Sequence, residues 1–181
     1  MTKANIITLL RILLVPIFIV ILLTEMENKE IIAFVVFLFA AISDAFDGYI
    51  ARKFDQVTDL GKFLDPIADK LLISAALVAL VSLGEIETWA AAVIILRELF
   101  MTAFRFYFYM KEASFSASRI AKNKTLLQII AISIFIIYRK LPYSDYIYII
   151  GNIILYLAVF LTVYSAIEYV IKYSKVIKKQ E

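Results

Sequence analysis

The stretch IIAFVVFLFAAISDAFDGYIAR, residues 31–52, indicates both the solvent in which this chain folds and the chemistry to expect from it. An unbroken apolar run leads into two aspartates, Asp44 and Asp47, and the stretch closes on Arg52. A charged side chain costs roughly 2.5–3.5 kcal/mol at the centre of a membrane helix, so such residues usually face a polar interior and have a function. The stretch therefore predicts a membrane helix that carries a functional site.

The composition of the whole chain agrees with a membrane environment. Of its 181 residues 63% are hydrophobic and 19% are charged, and the mean hydropathy is +0.88. Soluble domains carry about a quarter charged residues and just under half apolar ones. We therefore predict an all-α polytopic membrane protein that forms a single domain over residues 1–181.

Hydrophobic runs divide the chain into six predicted transmembrane helices. A helix needs about 20 residues to cross the hydrocarbon layer of a bilayer. The fifth run is shorter than this, and residues 122–125 are expected to extend its helix into the headgroup region. The predicted spans are residues 5–23, 31–52, 63–83, 88–110, 126–138 and 146–173.

The distribution of Lys and Arg predicts the orientation of these spans, because cytoplasmic loops carry an excess of positive charge. Twelve Lys and Arg residues fall on the side of the two termini, against Lys29, Arg139 and Lys140 on the other side. We therefore expect a multi-pass protein of the cytoplasmic membrane whose termini and active site face the cytoplasm. The twelve are Lys3, Arg52, Lys53, Lys62, Lys111, Arg119, Lys122, Lys124, Lys172, Lys175, Lys178 and Lys179.

Two residue types are absent, and their absence limits the chemistry. The chain has no Cys and no His, which excludes disulfides, thiolate nucleophiles, imidazole metal ligands and Ser–His triads within it. Acid–base or metal chemistry must then depend on carboxylates. Oxygen ligands favour hard cations such as Mg²⁺, Mn²⁺ or Ca²⁺.

Four aspartates form two pairs on consecutive predicted helices. Asp44 and Asp47 are three residues apart and Asp65 and Asp69 are four apart, so each pair shares one helix face. A turn around residues 53–61 would join the helices as an antiparallel hairpin and bring the pairs to a similar depth. Four ionised carboxylates in a pocket of low dielectric require cations. Two divalent ions would neutralise them and would also bridge phosphate oxygens during an in-line displacement.

Structural interpretations exist for single members of this set. Asp65 followed by Pro66 resembles a helix N-cap with Pro at the first helical position, and Asp44 alone is compatible with a polar contact between helices. Neither interpretation explains two face-sharing pairs on consecutive helices.

Small and basic residues lie between the two pairs. Gly48, Ala51 and Gly61 would let the backbone approach a flat ligand closely, and Arg52 is placed to bind phosphate at the membrane boundary. Taken singly, each residue favours a structural role: helix packing for Gly48 and Ala51, a turn for Gly61 and a membrane anchor for Arg52.

The combined spacing resembles a known signature. Asp44, Asp47, Gly48, Ala51 and Arg52, followed after eight residues by Gly61, Asp65 and Asp69, match Asp-x2-Asp-Gly-x2-Ala-Arg-x8-Gly-x3-Asp-x3-Asp at every fixed position. This is the signature of the CDP-alcohol phosphatidyltransferase family. The resemblance implies a six-helix membrane enzyme, expected to be a homodimer, that takes a CDP-linked lipid and an alcohol and releases CMP.

The same resemblance implies roles for the motif residues. The four aspartates, Asp44, Asp47, Asp65 and Asp69, would surround two Mg²⁺ or Mn²⁺ ions. Asp69 would also be the general base that takes the proton of the acceptor hydroxyl. The CDP group would be bound by Gly48, Ala51, Arg52 and Gly61.

Four further segments resemble the members of this family that use glycerol 3-phosphate as the acceptor: NIITLLR at 5–11, GKFLDPIADK at 61–70, LREL at 96–99 and KNKT at 122–125. By this resemblance Arg97, Arg105 and Lys122 would bind the acceptor phosphate. The expected reaction transfers the phosphatidyl group of CDP-diacylglycerol to sn-glycerol 3-phosphate. A structural alternative pairs the two arginines with Glu98 or with the aspartates.

Two other functions remain open at this point. The first is the same chemistry with another acceptor, namely inositol phosphate, serine or phosphatidylglycerol. A serine enzyme would not need Arg97 and Arg105 together, because serine carries no phosphate. The second is a divalent-cation transporter, since acidic residues within membrane spans also form ion pathways.

Overall fold

The computed structural model describes the backbone of residues 3–53, 59–109 and 119–177, and the side chains of residues 9–43, 68, 70–104 and 123–171. Within these residues it contains helices and no strand. The helices are α1 (Lys3–Leu23), α2 (Lys29–Lys53), α3 (Asp59–Ser82), α4 (Thr88–Tyr109), α5 (Arg119–Ile137), a short 3-10 helix (Tyr138–Lys140) and α6 (Ser144–Ile177). The predicted all-α fold is confirmed.

The helices follow the six predicted spans in order, but their membrane properties differ. Among the described residues, one helix is both long and apolar enough to cross a bilayer: α6, over Ser144–Ile171, with a mean hydropathy of 2.1. Shorter apolar stretches occur at Leu9–Leu23 and Lys70–Ser82. The fifth helix extends beyond its apolar run, because α5 begins at Arg119; the headgroup region that it would enter stays a prediction.

The start of α3 corrects two of the structural interpretations drawn from the sequence. The helix begins at Asp59, before the predicted start at residue 63. Gly61 therefore lies within the first turn of α3 rather than in the connecting turn. Asp65 and Pro66 lie beyond that first turn, so the interpretation of this pair as an N-cap followed by Pro at the first position is wrong. Leu60, Phe63 and Leu64 have the i, i+3, i+4 spacing of a helix, so the apolar periodicity of α3 already begins before the Asp-Pro pair.

The buried core is formed by the faces on which the helices meet. Helix α1 packs against α2 and α3, α4 packs against α3 and α6, and α5 packs against α2 and α6. Phe18 of α1 and Phe37 of α2 are fully buried, and their ring centroids lie 5.6 Å apart. Because a short connection joins α1 and α2, this contact sets the register of an antiparallel helix hairpin.

Helix α3 ends in a motif that fixes the position of Glu85. Gly84 has a φ of +72°, a conformation that glycine adopts without steric cost. The amide of Gly84 donates to the Val81 carbonyl at 3.0 Å and the amide of Glu85 to the Leu80 carbonyl at 2.9 Å. These are the two hydrogen bonds of a Schellman C-cap. They place the Glu85 side chain in a buried position next to the connection between α5 and α6.

Ion pairs join three connections at one end of the bundle, which we call the Glu85 end. Arg139 Nη2 lies 2.6 Å from Glu85 Oε1, and Tyr138 donates to Glu85 Oε2 at 2.6 Å. Lys140 Nζ lies 3.8 Å from Glu30 Oε2. The hydrogen bond to Tyr138 and the Glu85 carboxylate raise the pKa of Arg139 above its ordinary value. The connections before α2, before α4 and before α6 therefore lie together, as expected if consecutive helices alternate in direction.

Candidate active site

The four aspartates lie on the two helices that the sequence predicted. Asp44 and Asp47 belong to the C-terminal part of α2, and Asp65 and Asp69 belong to the N-terminal half of α3. Helices α2 and α3 pack against each other. The aspartate side chains lie outside the described residues, as do those of the predicted CDP-binding residues Gly48, Ala51, Arg52 and Gly61.

A buried arginine on α1 lies toward the end of α2 that carries the motif aspartates. Arg11 is 1% exposed and lies seven residues before Phe18, on the same face of α1. Asp44 lies seven residues after Phe37, on the same face of α2. In an antiparallel pair whose register is set by Phe18 and Phe37, positions 11 and 44 lie at the same level along the hairpin. The hairpin thus brings a cationic position of α1 to the level of the first motif aspartate.

The donor set of the motif suits a hard divalent cation. Four carboxylates offer only oxygen ligands, which Mg²⁺ and Mn²⁺ prefer. Among the residues whose side chains are described, no group of three or more acidic residues could hold a metal ion. The oxygen ligands of the aspartate motif are of the kind that such ions bind.

Arg97 is the centre of a buried polar network between α4 and α6. It is 9% exposed. Its Nε donates to the Thr162 carbonyl at 3.1 Å, and its Nη2 donates to the Ser165 hydroxyl at 2.7 Å. Its Nη1 lies 3.0 Å from Glu98 Oε1. The structural alternative for Arg97, a partnership with Glu98, is thus present in the structure, and α6 supplies two further acceptors.

Glu98 connects this network to α5. The same carboxylate oxygen that accepts from Arg97 also accepts from Lys124 Nζ. Lys124 is 4% exposed. Lys70, the residue after Asp69 on α3, also interacts electrostatically with Glu98. One carboxylate therefore joins cations from α4 and α5 and lies within electrostatic range of the helix that carries Asp65 and Asp69.

The network continues along the interface of α5 and α6. Gln128 donates to the Thr162 hydroxyl at 3.1 Å, and the Ser165 hydroxyl donates to the Thr162 carbonyl at 3.1 Å. Gln128 and Thr162 are buried. These hydrogen bonds join polar atoms within a buried interface, where an unpaired polar group is costly.

Sequence reasoning missed Lys124, Gln128, Thr162 and Ser165 as members of a site. A pattern in the sequence does point to them. Lys124 and Gln128 are four residues apart on α5, and Thr162 and Ser165 are three apart on α6, so each pair shares a face. Polar pairs at helical spacing within apolar helices indicate a shared polar interface.

Two other predicted acceptor residues lie on the same helices. Arg105 belongs to α4, about two turns beyond Arg97, and Lys122 belongs to the first turn of α5. Their side chains lie outside the described residues. Of the three predicted acceptor residues, the structure describes the contacts of Arg97 alone.

An apolar groove of about 570 Å³ runs between α2 and α5. From α2 it is lined by residues such as Phe34, Leu38 and Ile42, and from α5 by residues such as Leu126 and Ile130. Ile42 lies two residues before Asp44. One end of the groove therefore reaches the part of α2 that carries the motif aspartates.

Comparison with known proteins identifies the class. A family model described as CDP-alcohol phosphatidyltransferase matches residues 1–164. The chain belongs to the CDP-alcohol phosphatidyltransferase family.

Individual relatives are similar over most of their length. The chain is 40% identical to a Bacillus subtilis (strain 168) protein named CDP-diacylglycerol–glycerol-3-phosphate 3-phosphatidyltransferase, and the match covers 91% of each chain. It is 35% identical to a Rickettsia bellii (strain RML369-C) protein of the same name, again over 91% of each. It is 36% identical to a Mycobacterium tuberculosis (strain ATCC 25618 / H37Rv) protein named probable phosphatidylglycerophosphate synthase, over 92% of this chain and 79% of that one.

Proposed function

We propose that this protein transfers the phosphatidyl group of CDP-diacylglycerol to sn-glycerol 3-phosphate, giving phosphatidylglycerophosphate and CMP. The observation that carries the proposal is the complete aspartate signature on two consecutive helices that pack against each other. The names of the relatives support glycerol 3-phosphate as the acceptor. The buried cations Arg97 and Lys124 support it independently, because an acceptor that carries a phosphate needs fixed positive charge.

The lipid donor is supported by the groove between α2 and α5. Its described lining is apolar apart from Ser133, and on α2 it reaches Ile42, two residues before Asp44. An acyl chain in such a groove would leave the head of the lipid at the level of the aspartates. The groove suits a donor whose reactive phosphates lie at the membrane boundary and whose chains remain within the bilayer.

In the proposed reaction Asp69 accepts the proton of the acceptor hydroxyl. The hydroxyl oxygen attacks the lipid-side β-phosphorus and forms a new P–O bond. The bond from this phosphorus to the oxygen that bridges the two phosphates breaks, and CMP leaves with that oxygen. Arg97, Arg105 and Lys122 hold the acceptor phosphate, which restricts the approach of the hydroxyl; such orientation is worth several kcal/mol in favourable cases.

Two divalent ions, Mg²⁺ or Mn²⁺, complete the proposed site. Asp44, Asp47, Asp65 and Asp69 would hold them. When bound, they would supply positive charge to the pyrophosphate and to the leaving CMP. The CDP group would lie against Gly48, Ala51, Arg52 and Gly61, where small residues permit a close approach of the backbone.

We further propose six membrane crossings, with both termini and the active site on the cytoplasmic side, and a homodimer. The excess of Lys and Arg on the side of the termini supports this orientation. The alternating directions of the helices and the paired connections at the Glu85 end support an even number of crossings. The cytoplasmic face would let a soluble acceptor reach the membrane-bound donor.

The decisive experiment measures CMP release by the purified protein in detergent with CDP-diacylglycerol and Mg²⁺ or Mn²⁺. Release that requires both the metal and glycerol 3-phosphate is the expected result. Release with inositol phosphate, serine or phosphatidylglycerol instead would keep the chemistry and change the acceptor. If folded protein releases no CMP in a metal-dependent way with any of these alcohols, the proposal that it is an enzyme is refuted. Metal flux into liposomes that depended on Asp44 would then favour a transporter.

A further inference from the structure

Glu98 occupies an unusual position in the buried network. Its Oε1 accepts from Arg97 Nη1 at 3.0 Å and also from Lys124 Nζ. The two cations come from different helices, α4 and α5, and the side chains of both are less than 10% exposed. A single carboxylate oxygen thus fixes the distance between two buried cations.

The other contacts of Arg97 restrict the direction of its guanidinium group. Nε is held by the Thr162 carbonyl and Nη2 by the Ser165 hydroxyl, both from α6. With the Nη1 contact to Glu98, every nitrogen of the guanidinium has a defined partner. A planar guanidinium bound at three nitrogens cannot rotate without losing charge-assisted hydrogen bonds. Arg97 is therefore held in one orientation before any ligand arrives.

We propose that Glu98 is a positioning residue for the acceptor site. Its carboxylate orients the Arg97 and Lys124 side chains together, so that their positive charges suit a phosphate monoester. This inference depends on the proposed function and assigns residues to it that the motif does not include. Helix α3, which carries the proposed base Asp69, packs against both helices of this unit, α4 and α5. The acceptor phosphate and the attacking hydroxyl are then placed relative to each other through the helices α3, α4 and α5.

A role in positioning differs from a role in folding in its kinetic effect. Loss of a positioning residue raises the KM for the ligand that the oriented cations bind and leaves the KM for the other substrate unchanged. Loss of a structural residue lowers the amount of folded protein and affects both substrates. The carboxylate can also be replaced by an amide, which keeps an acceptor oxygen at the same place.

The test compares Glu98→Leu and Glu98→Gln in the CMP-release assay. Glu98→Leu is expected to raise the KM for glycerol 3-phosphate about tenfold, with the KM for CDP-diacylglycerol unchanged and kcat within about twofold. Glu98→Gln is expected to restore most of the affinity for glycerol 3-phosphate. Lys124→Met is expected to give the same split as Glu98→Leu, since it removes the second member of the unit.

Glu85→Leu is the matched control. Glu85 is also a buried carboxylate paired with an arginine, Arg139, but it lies at the opposite end of the bundle. It is expected to lower the thermal stability in detergent and to leave both KM values unchanged. If it raised the KM for glycerol 3-phosphate as Glu98→Leu does, the effect would be one of general destabilisation and the proposal would be overturned.

The remaining outcomes separate this proposal from the proposed function. An unchanged or lowered KM for glycerol 3-phosphate in folded Glu98→Leu would overturn the positioning role while the proposed function stood. If Glu98→Leu does not fold, Glu98→Gln and Lys124→Met decide, and normal KM values in both would overturn it. Wild-type protein that releases CMP with another acceptor, or with none, would refute the proposed function and this inference with it.

Discussion

The Arg97 guanidinium donates a hydrogen bond of 2.7 Å to the hydroxyl of Ser165, a residue 68 positions further along the chain. This contact joins α4 to α6, and both side chains are buried. An arginine that the sequence assigns to a phosphate site is thus also part of the interface between two helices. The consequences for binding and for stability can be separated by mutation.

Arg97→Ala is expected to raise the KM for glycerol 3-phosphate strongly and to lower the stability of the protein. It removes a proposed phosphate ligand and also leaves the buried Thr162 carbonyl and Ser165 hydroxyl without this donor. A buried polar group that loses its partner costs about 1–3 kcal/mol. Steady-state kinetics and thermal unfolding in the same detergent measure the two effects.

Arg105→Ala and Ser165→Ala complete this comparison. Arg105→Ala is expected to raise the same KM, because Arg105 is proposed to bind the same phosphate. Ser165→Ala removes one hydrogen bond to a charged group, so we expect a loss of roughly 1.5–3 kcal/mol in stability with a smaller change in KM. An unchanged KM in both arginine variants would argue for a different acceptor or a different pocket.

Asp69→Asn is expected to abolish turnover with the binding of CDP-diacylglycerol largely kept. The amide cannot take the proton of the acceptor hydroxyl, and general-base catalysis typically contributes about 10²–10⁴-fold. CMP release measures turnover, and binding of the donor to the purified variant measures the retained affinity. Asp145→Asn, at an exposed aspartate in the first turn of α6, is the control and should be fully active. Near-normal turnover by Asp69→Asn would remove Asp69 from the role of base.

Removal of divalent metal is expected to abolish CMP release without unfolding the helices. The reason is that the metal ions would supply charge to the pyrophosphate, while the described core is built from apolar contacts that need no ion. Addition of EDTA followed by Mg²⁺ or Mn²⁺ tests this, with circular dichroism recorded in parallel. Full activity in EDTA would contradict the proposed metal site.

Gly151→Ala is expected to destabilise the protein with little effect on either KM. A Cβ at this position would lie 3.0 Å from Ile134 Cγ2 and 3.3 Å from an atom of the Phe135 ring, so α5 and α6 could not approach as closely. Overpacking of this kind costs typically 1–3 kcal/mol, against which Ala gains roughly 0.5–1 kcal/mol over Gly inside a helix. Thermal unfolding in detergent is the measurement.

Ile134→Ala tests the cause that we assign to this effect. If the steric contact is responsible, the double variant Ile134→Ala/Gly151→Ala should lose less stability than the losses of the two single variants added together. Strict additivity would locate the cost of Gly151→Ala elsewhere.

The helices could be predicted from the sequence because hydrophobicity and length are local properties. The six predicted spans agree in order with α1–α6, and the extension of the fifth was expected from residues 122–125. The start of α3 was misplaced, because the prediction followed the hydrophobic run from residue 63 and the helix begins at Asp59. The Asp-Pro pair, which is typical of a helix start, lies within this helix. A favourable local pattern does not exclude a helix that begins earlier.

Some residues of the candidate site could likewise be predicted from the sequence, and others required the tertiary structure. The aspartates and the CDP-binding residues lie close together in the sequence and match a signature at every fixed position, so they could be proposed without coordinates. The spacing of Lys124, Thr162 and Ser165 indicates polar helix faces, but it does not identify their partners, because Glu98 and Arg97 lie on another helix. Arg97 was assigned to a phosphate, and only its contacts with α6 revealed the second role.

The sequence by itself determined that this chain is helical and apolar, that its chemistry depends on carboxylates, and that it carries the signature of a phosphatidyltransferase. These properties follow from the types of residue and their spacing along one or two helices. The tertiary structure decided that one oxygen of Glu98 joins Arg97 to Lys124, and that α6 holds the other side of Arg97. The physical reason is that hydrogen bonds between helices depend on register and rotation, which are set by the packing of the whole bundle and not by any local pattern.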